Sequence, residues 1–374
     1  MKRPLLLLLP LLCLSLIQAS CRNGGVAKQH TTPLPDRPDT VTLRLVFAGD
    51  IMAHMPQVKA AYRAAHRSYD FSPTFDSIEA TLQSADLTVG NLETTIGGTP
   101  YSGYPAFSSP PSLVSALKEC GFDLLTTANN HSADRGKRGV LGTLGTLDSL
   151  GLRHTGSYAS QTQRDSLVPL IVPCKGLRLA FFAYTYGLNG LPMPAPTVID
   201  LIDTVQMAAD LAKADAQGCD YKIVCIHWGT EYQRNPNPEQ ERLAAFLRRH
   251  GVDMVIGSHP HVVQKSLLEA ASDRDFFLIY SMGNFASNQI KPAGTRGGML
   301  LELTLTHVPN GHSVITPRYR YVFMQKKERS GRAVYRLLPV TLSEPTQYNG
   351  RLSAAEQQDY SAFCRYYSGI PLAQ

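Results

Sequence analysis

Two hydrophobic periods alternate along this chain. Short runs of nearly consecutive apolar residues at Leu43–Ala48, Leu87–Val89, Phe122–Leu125, Ile223–Ile226 and Val252–Ile256 fit strands buried in a sheet, and Leu179–Tyr184 and Phe276–Tyr280 fit the same pattern. Helical spacing fills the intervals. Pro110-Pro111-Ser112-Leu113 opens one helix that runs to about Glu119 and stops at Gly121, and Gly139–Leu150 forms another, ended by Gly151. Asp203–Gln217 and Glu239–His250 follow; the latter sets Leu243, Phe246 and Leu247 on one face and ends at Gly251. After Gly298 the pattern changes. Met299–Thr306, Thr316–Met324 and Ala333–Leu338 read as antiparallel strands, with Asn310-Gly311 as a turn between the first pair. Ser353 and Glu356 then form a capping box for a last helix, Ala354 to about Tyr366. No internal repeat is visible. The order predicts an α/β fold, with one large domain over residues 41–298 that the strands and helix of 299–374 complete.

The chemistry sits where the buried runs end. Asp50 follows the first, Asn91 and Glu93 the second, Asn129-Asn130-His131 the third, His227 and Glu231 the fourth, and His259-Pro260-His261 the fifth. In open α/β sheets, ligands collect at the carboxyl ends of strands. Any one of these ends alone reads more simply as a strand cap or a turn. Together they supply carboxylate, amide oxygen and imidazole, donors that suit Mn, Zn or Fe, and they predict a site for two divalent metal ions.

Composition narrows the function class. At 43% hydrophobic and 8% aromatic residues the chain is a folded globular protein with a substantial core. Its net charge of +6 fits an anionic partner. No stretch shows the Lys/Arg clustering of a nucleic-acid binder, so nucleic acid is excluded as a partner. No CxxC spacing occurs. Cys174 and Cys225 lie in or beside apolar strands and read as core residues, and any disulfide in the chain stays unassigned.

The first residues read as an export signal: Lys2 and Arg3, then an apolar run from Leu5 to Ile17 that is short for a membrane span. Gln18-Ala19-Ser20-Cys21 resembles a bacterial lipoprotein cleavage site, with Gln18 where an aliphatic residue is usual. Residues 1–20 then form the signal peptide and Cys21 the lipidated anchor to a membrane. Residues 21–40, rich in Gly and Pro, form a tether. The alternative is an ordinary signal peptide with a chance cysteine.

Gly49-Asp50-Ile51-Met52, Asn91-Leu92-Glu93, Asn129-Asn130-His131 with Asp134, His227-Trp228-Gly229-Thr230-Glu231-Tyr232, Gly257-Ser258-His259-Pro260-His261 and Tyr280-Ser281-Met282-Gly283-Asn284-Phe285 occur in that order. As an ordered set, spanning about Val41 to Phe285, they resemble the CapA family of capsule and poly-γ-glutamate synthesis. That family in turn resembles the calcineurin-like metallophosphoesterases. The resemblance implies a four-layer α/β/β/α sandwich. It implies Asp50 and Glu93 as carboxylate ligands with Glu93 bridging, His261 on the first metal, and Asn130, His227 and His259 on the second. His131 would be a general acid for the leaving oxygen, a role histidine fills without tuning. Asp134 either orients His131 or caps a turn. Asn91, Glu231, Tyr232, Ser281 and Asn284 are candidates for contacts with substrate, Glu231 and Tyr232 equally for contacts behind the ligands. Ser281 and Asn284 fit equally a turn held by its own side chains. Trp228 either walls the pocket or packs beneath its loop, and the stretch Leu191–Pro196 is a loop at the site mouth or an inert connector.

The chain departs from the phosphoesterase pattern in two places. Those enzymes usually carry Asp-x-His, whereas Met52 stands two residues after Asp50; His54 is a substitute ligand or a bystander. Glu93 stands where Asp is usual. One metal position is therefore weak, vacant or differently filled.

Three functions follow. The first is a cell-envelope metal-dependent hydrolase acting on a phosphoester or a linkage of an anionic polymer. The second is a non-catalytic factor that binds such a polymer for assembly or export, alongside other capsule-synthesis proteins. The third is a metallopeptidase or amidase for γ-linked peptides, ranked last because no H-E-x-x-H helix is present.

Overall fold

Side chains along the strand Val41–Ile51 feed two different cores. Leu43, Leu45 and Phe47 enter one, whereas Val46, Ala48 and Ile51 enter another. A strand has a side-chain period of two, so a strand apolar at consecutive positions must lie between two packed layers. The strand Leu177–Thr185 does the same: Leu179 and Phe181 join Leu43 and Phe47 in the central core, and Ala180, Phe182 and Tyr184 face the other way. The computed structural model in which these contacts are seen describes residues 40–270, 274–329 and 331–373. The expected signal peptide and the expected lipidation site, Cys21, lie outside them.

Two sheets result. The first has 8 strands, in the order Arg332–Val340, Val314–Arg329, Gly297–His307, Val41–Ile51, Leu87–Leu92, Leu124–Thr126 and Arg153–Thr155, with Asn284–Ala286 paired to the end of Val41–Ile51. The second has 6: Ser266–Ala270, Asp275–Ile279, Met254–Ser258, Tyr221–His227, Leu177–Thr185 and Leu170–Cys174. Their inner faces share the central core. Helices cover the outer faces. Leu113 and Leu117 of Ser112–Glu119 and Leu147 of Gly136–Ser149 pack on the first sheet. Met207 and Leu211 of Thr204–Ala216 and Leu243 and Leu247 of Pro238–Arg249 pack on the second. The architecture is thus an α/β/β/α sandwich.

Caps and turns mark the ends of these elements. Asp203 caps its helix, Asn237 and Gln240 form a capping box with Pro238 at the first turn, and Ser353 and Glu356 form another at Ala354–Tyr367. Asn310 takes the left-handed conformation at φ 57° as the third residue of a turn that Gly311 N closes on the Val308 carbonyl at 3.1 Å. The strands after Gly297 extend the first sheet antiparallel, and Tyr360, Phe363 and Tyr367 of the last helix enter the central core. The C-terminal segment therefore belongs to the same compact unit, Pro38–Gln374. Cys120, Cys174, Cys219, Cys225 and Cys364 are all free thiols.

The parallel pairings position the site. Val41–Ile51 and Leu87–Leu92 run parallel in the first sheet, with Asp50 beside Asn91. Tyr221–His227 and Met254–Ser258 run parallel in the second, with His227 beside Ser258. Their carboxyl ends meet across the sandwich, where the Asn91 amide reaches the His227 ring, Nδ2 to Nδ1, at 3.3 Å.

Candidate metal centre

Asp50 anchors one side of the centre. It follows an irregularity in the pairing with Leu87–Leu92 that re-aims the strand end. Its Oδ1 accepts a hydrogen bond from Asn91 Nδ2 at 2.8 Å. Its Oδ2 lies 3.1 Å from His261 Nδ1 and accepts the His259 backbone N–H at 3.3 Å. His261 Nδ1 also lies 3.0 Å from Asn284 Oδ1. With two oxygens as acceptors, Nδ1 carries the proton and the Nε2 lone pair is left facing Glu93, 3.9 Å from its Oε1.

His227 anchors the other side. Its Nε2 lies 2.9 Å from Asn130 Oδ1 and 3.6 Å from Glu93 Oε1, and its Nδ1 lies 2.8 Å from Ser258 Oγ. The serine hydroxyl serves either tautomer. Without a cation, Nε2–H donates to Asn130. With one, Nδ1–H donates to Ser258 and Nε2 is free to ligate. His259 lies nearby, its ring tilted to that of His227 with centroids 4.8 Å apart, and has a wholly buried Nδ1 without a hydrogen-bond partner.

Glu93 lies between the two sides. It is fully buried, yet neither carboxylate oxygen has a hydrogen-bond partner. Buried polar atoms are almost always paired, so such an atom calls for an explanation. Burial, and next the Asp50 carboxylate, hold the Glu93 carboxyl well above its usual range. Burial and then the neighbouring imidazoles hold His227 well below the usual histidine range and His259 down to about 3. Deprotonated imidazoles are the state that metal ligands require, and the Glu93 carboxyl would give up its proton to a cation bound there. Among the described residues, three groups place their ligand atoms within 4.8 Å of one another: Glu93, His227 and His259; Asp50, Glu93 and His261; and Glu231, His259 and His261. Backbone geometry agrees. His259 at φ 96° and His261 at φ 58° occupy a region that L side chains rarely adopt, and such strain concentrates at functional sites.

His131 stands beside this cluster. Asp134 holds His131: its Oδ2 accepts from His131 Nδ1 at 2.7 Å and from the N–H of Phe107, distant in sequence, at 2.7 Å. The Phe107 ring packs edge-on against His131 at 4.7 Å. The imidazole is thus fixed with Nε2 as its free atom.

The other candidates fall into place behind the ligands or at the mouth. Asn91, Ser281 and Asn284 are buried and engaged internally: Asn91 holds Asp50, Ser281 Oγ accepts from Gly283 N, and Asn284 braces His261 while donating to the Thr295 carbonyl. These bonds place them behind the ligands rather than against a substrate. Glu231 is half-buried and Tyr232, 40% exposed, has its ring 6.0 Å from that of His261. Trp228 packs: it is 1% exposed, donates to the Tyr280 carbonyl and stacks on Tyr280. Met52 turns into an apolar pocket of about 320 Å³. His54 accepts the Asn288 N–H on Nδ1, lies edge-on to Phe107, and joins none of the three ligand groups. The stretch Leu191–Pro196 is an exposed surface loop, and Asn189 just before it accepts from Asn130 Nδ2.

Residues the sequence reading did not assign also matter. Ser258 sets the His227 ring, and Asn129 ties Asn91 to the Leu92 carbonyl. Tyr186, 46% exposed, covers His259 at 4.6 Å. Its signal was available: it directly follows the carboxyl end of Leu177–Thr185, on the edge where the other ligands gather.

Comparison with known proteins agrees with the motif order. The chain is 28% identical over 303 residues to "Capsule biosynthesis protein CapA" of Bacillus anthracis, covering 76% of this chain and 68% of that one. It is 27% identical over 289 residues to "PGA biosynthesis protein CapA" of Bacillus subtilis, covering 72% and 70%. Among solved structures, the NAD nucleotidase of Haemophilus influenzae aligns with a TM-score of 0.48 at 11% identity, over 90% of this chain and 58% of that one. The profile of the family described as "Bacterial capsule synthesis protein PGA_cap" matches residues 44–289. The chain belongs to this family of bacterial capsule synthesis proteins.

Proposed function

We propose that this protein is a dinuclear-metal-dependent hydrolase of the cell envelope that acts on a phosphoester or on a linkage of an anionic capsule polymer such as poly-γ-glutamate. The observation that carries the reading is Glu93, fully buried between two groups of donors with both oxygens unpartnered. Glu93, His227, His259 and Asn130 would hold one divalent ion, and Asp50, Glu93 and His261 the other. Two such ions, when bound, activate a water and polarise a phosphoryl or acyl oxygen. The chain's own residues do the rest. His131, its Nδ1–H held by Asp134, would as the imidazolium give its Nε2 proton to the leaving oxygen and return to the neutral ring. Asn91, Ser258 and Asn284 keep the ligand rings and carboxylate from turning. Tyr186 covers His259 and limits the access of bulk water. Envelope localisation, through a lipid on Cys21, and contact with other capsule-synthesis proteins are part of the proposal.

The test is metal content together with turnover of a phosphodiester panel. The reading expects bound metal and activity that His131→Ala abolishes. Absence of both metal and turnover removes it. A second reading, a non-catalytic polymer-binding factor, is favoured by Met52 standing where a ligand would be expected. It expects polymer binding that persists in His131→Ala without any turnover.

A further inference from the structure

The two sides of the centre are unequally supplied with donors. The His227 side draws on Glu93, His259 and an amide oxygen, whereas the His261 side has Asp50 and a shared Glu93. Met52 and His54 add nothing to the weaker side. Divalent ions of this class take four or more ligands. A further carboxylate is available. Glu231 places an oxygen within 4.8 Å of ring nitrogens of both His259 and His261, and the buried His259 Nδ1 is unpartnered.

Several bonds hold Glu231 there. Tyr232 N donates to the Pro260 carbonyl at 2.8 Å, tying the loop of Glu231 directly to the loop of the two histidines. Trp228 N donates to the Ser258 carbonyl at 3.2 Å on the other flank. Gly229, at φ 90°, lies against the buried Gln240, where a Cβ would come within 2.6 Å of the side-chain amide. Gln240 donates to Gln264, and Gln264 donates to the carbonyls of Gln233 and Asn235. The loop is clamped from both ends with the carboxylate turned toward the histidines.

We propose that Glu231 is a direct metal ligand, filling from a separate loop the donor position that Met52 leaves empty on the His261 side. The inference rests on the paired-metal reading above. Because Glu231 is only half-buried, the ion it holds is reachable from solvent and is the more weakly bound of the two.

The experiment is Mn²⁺ titration of the chelator-stripped protein by calorimetry, with metal content by mass spectrometry and the Mn²⁺ electron-spin-resonance signal as a second readout. Wild type is expected to bind two ions and to show the multiline signal of a bridged pair. Glu231→Gln, close in shape, is expected to keep one tight ion, to bind the second at least about tenfold more weakly, and to lose the multiline signal, with unchanged melting in chelator. If Glu231→Gln and Glu231→Ala both titrate as wild type, Glu231 is not a ligand, while the paired-metal reading survives. If wild type binds no Mn²⁺ and no Zn²⁺, both fall together.

Discussion

Glu93→Gln separates the stability of the protein from its proposed work. The wild-type carboxyl is buried without a partner for either oxygen and sits beside Asp50. An unsatisfied buried polar group costs about 1–3 kcal/mol, more when charged. Held well above its usual range, the metal-free carboxyl takes up a proton rather than ionise beside Asp50. That uptake costs about 1.4 kcal/mol for each pH unit above the unfolded value. An amide of the same shape is neutral and avoids that cost. Metal-free Glu93→Gln is therefore expected to be more stable than metal-free wild type, by about 1–3 kcal/mol. A unit of this size has an unfolding entropy of about 0.7 kcal/mol per kelvin, so the gain reads as a melting temperature about 1–4 °C higher. With metal the order reverses. A ligand at 100 times its dissociation constant stabilises by about 2.7 kcal/mol, or about 4 °C per site on the same scale. Wild type gains this and Glu93→Gln does not. Scanning calorimetry in chelator and in excess Mn²⁺ supplies all four values. A Glu93→Gln protein that melts lower than wild type in chelator, and rises as much as wild type in Mn²⁺, would refute the reasoning.

Other consequences are equally direct. His131→Ala should lower turnover of any substrate found by about 10²–10⁴-fold while leaving metal content intact, as steady-state kinetics and metal analysis would show. Ser258→Ala should weaken metal binding by about 10–100-fold, because the His227 Nδ1–H loses the hydroxyl that accepts it when Nε2 ligates; a calorimetric titration reads this. Acid should cost the metal-free protein the contribution of its buried histidines, against Glu93, Asp200 and Asp253, whose raised values act in the opposite direction. Burial holds His54 at about 4 and His259 at about 3. Below pH 6.5 these histidines take up protons in the unfolded chain that they refuse in the folded one, so their contribution to stability falls as pH falls toward those values. At pH 5 each histidine costs about 2 kcal/mol, and in denaturation curves His54→Gln should lose less stability than wild type between pH 6.5 and 4. Gly49→Ala should abolish soluble expression, since a Cβ there would lie 1.9 Å from the Gly283 carbonyl oxygen, backbone that cannot yield.

Much of the architecture was legible because strands buried on both faces are apolar at consecutive positions, and Val41–Ile51, Leu177–Thr185 and Tyr221–His227 all carry that mark. Elements without a long period were not found. The helices Met55–Ala61 and Gln161–Leu167 have only 7 residues, too few for a helical repeat to show. The edge strand Ser266–Ala270 is only half-buried, so its pattern is diluted. At the site, Asp50, Glu93, Asn130, His227, His259 and His261 could be named because each follows a strand end, and the fold brings them together there. The roles of Asn91, Ser281 and Asn284 could not be read the same way. Sequence gives no direction for a polar side chain, and these three turn inward to brace ligands and turns. Glu231 shows the converse: only the clamped loop, with Tyr232 N on the Pro260 carbonyl, reveals that it faces the histidines.

Anomalous diffraction from crystals grown in Mn²⁺ tests the central claim most directly. The account predicts a pair of peaks flanking the Glu93 carboxylate, one against His227 and His259 and one against Asp50 and His261. An empty difference map there, with Glu93 satisfied by ordered water alone, would contradict it.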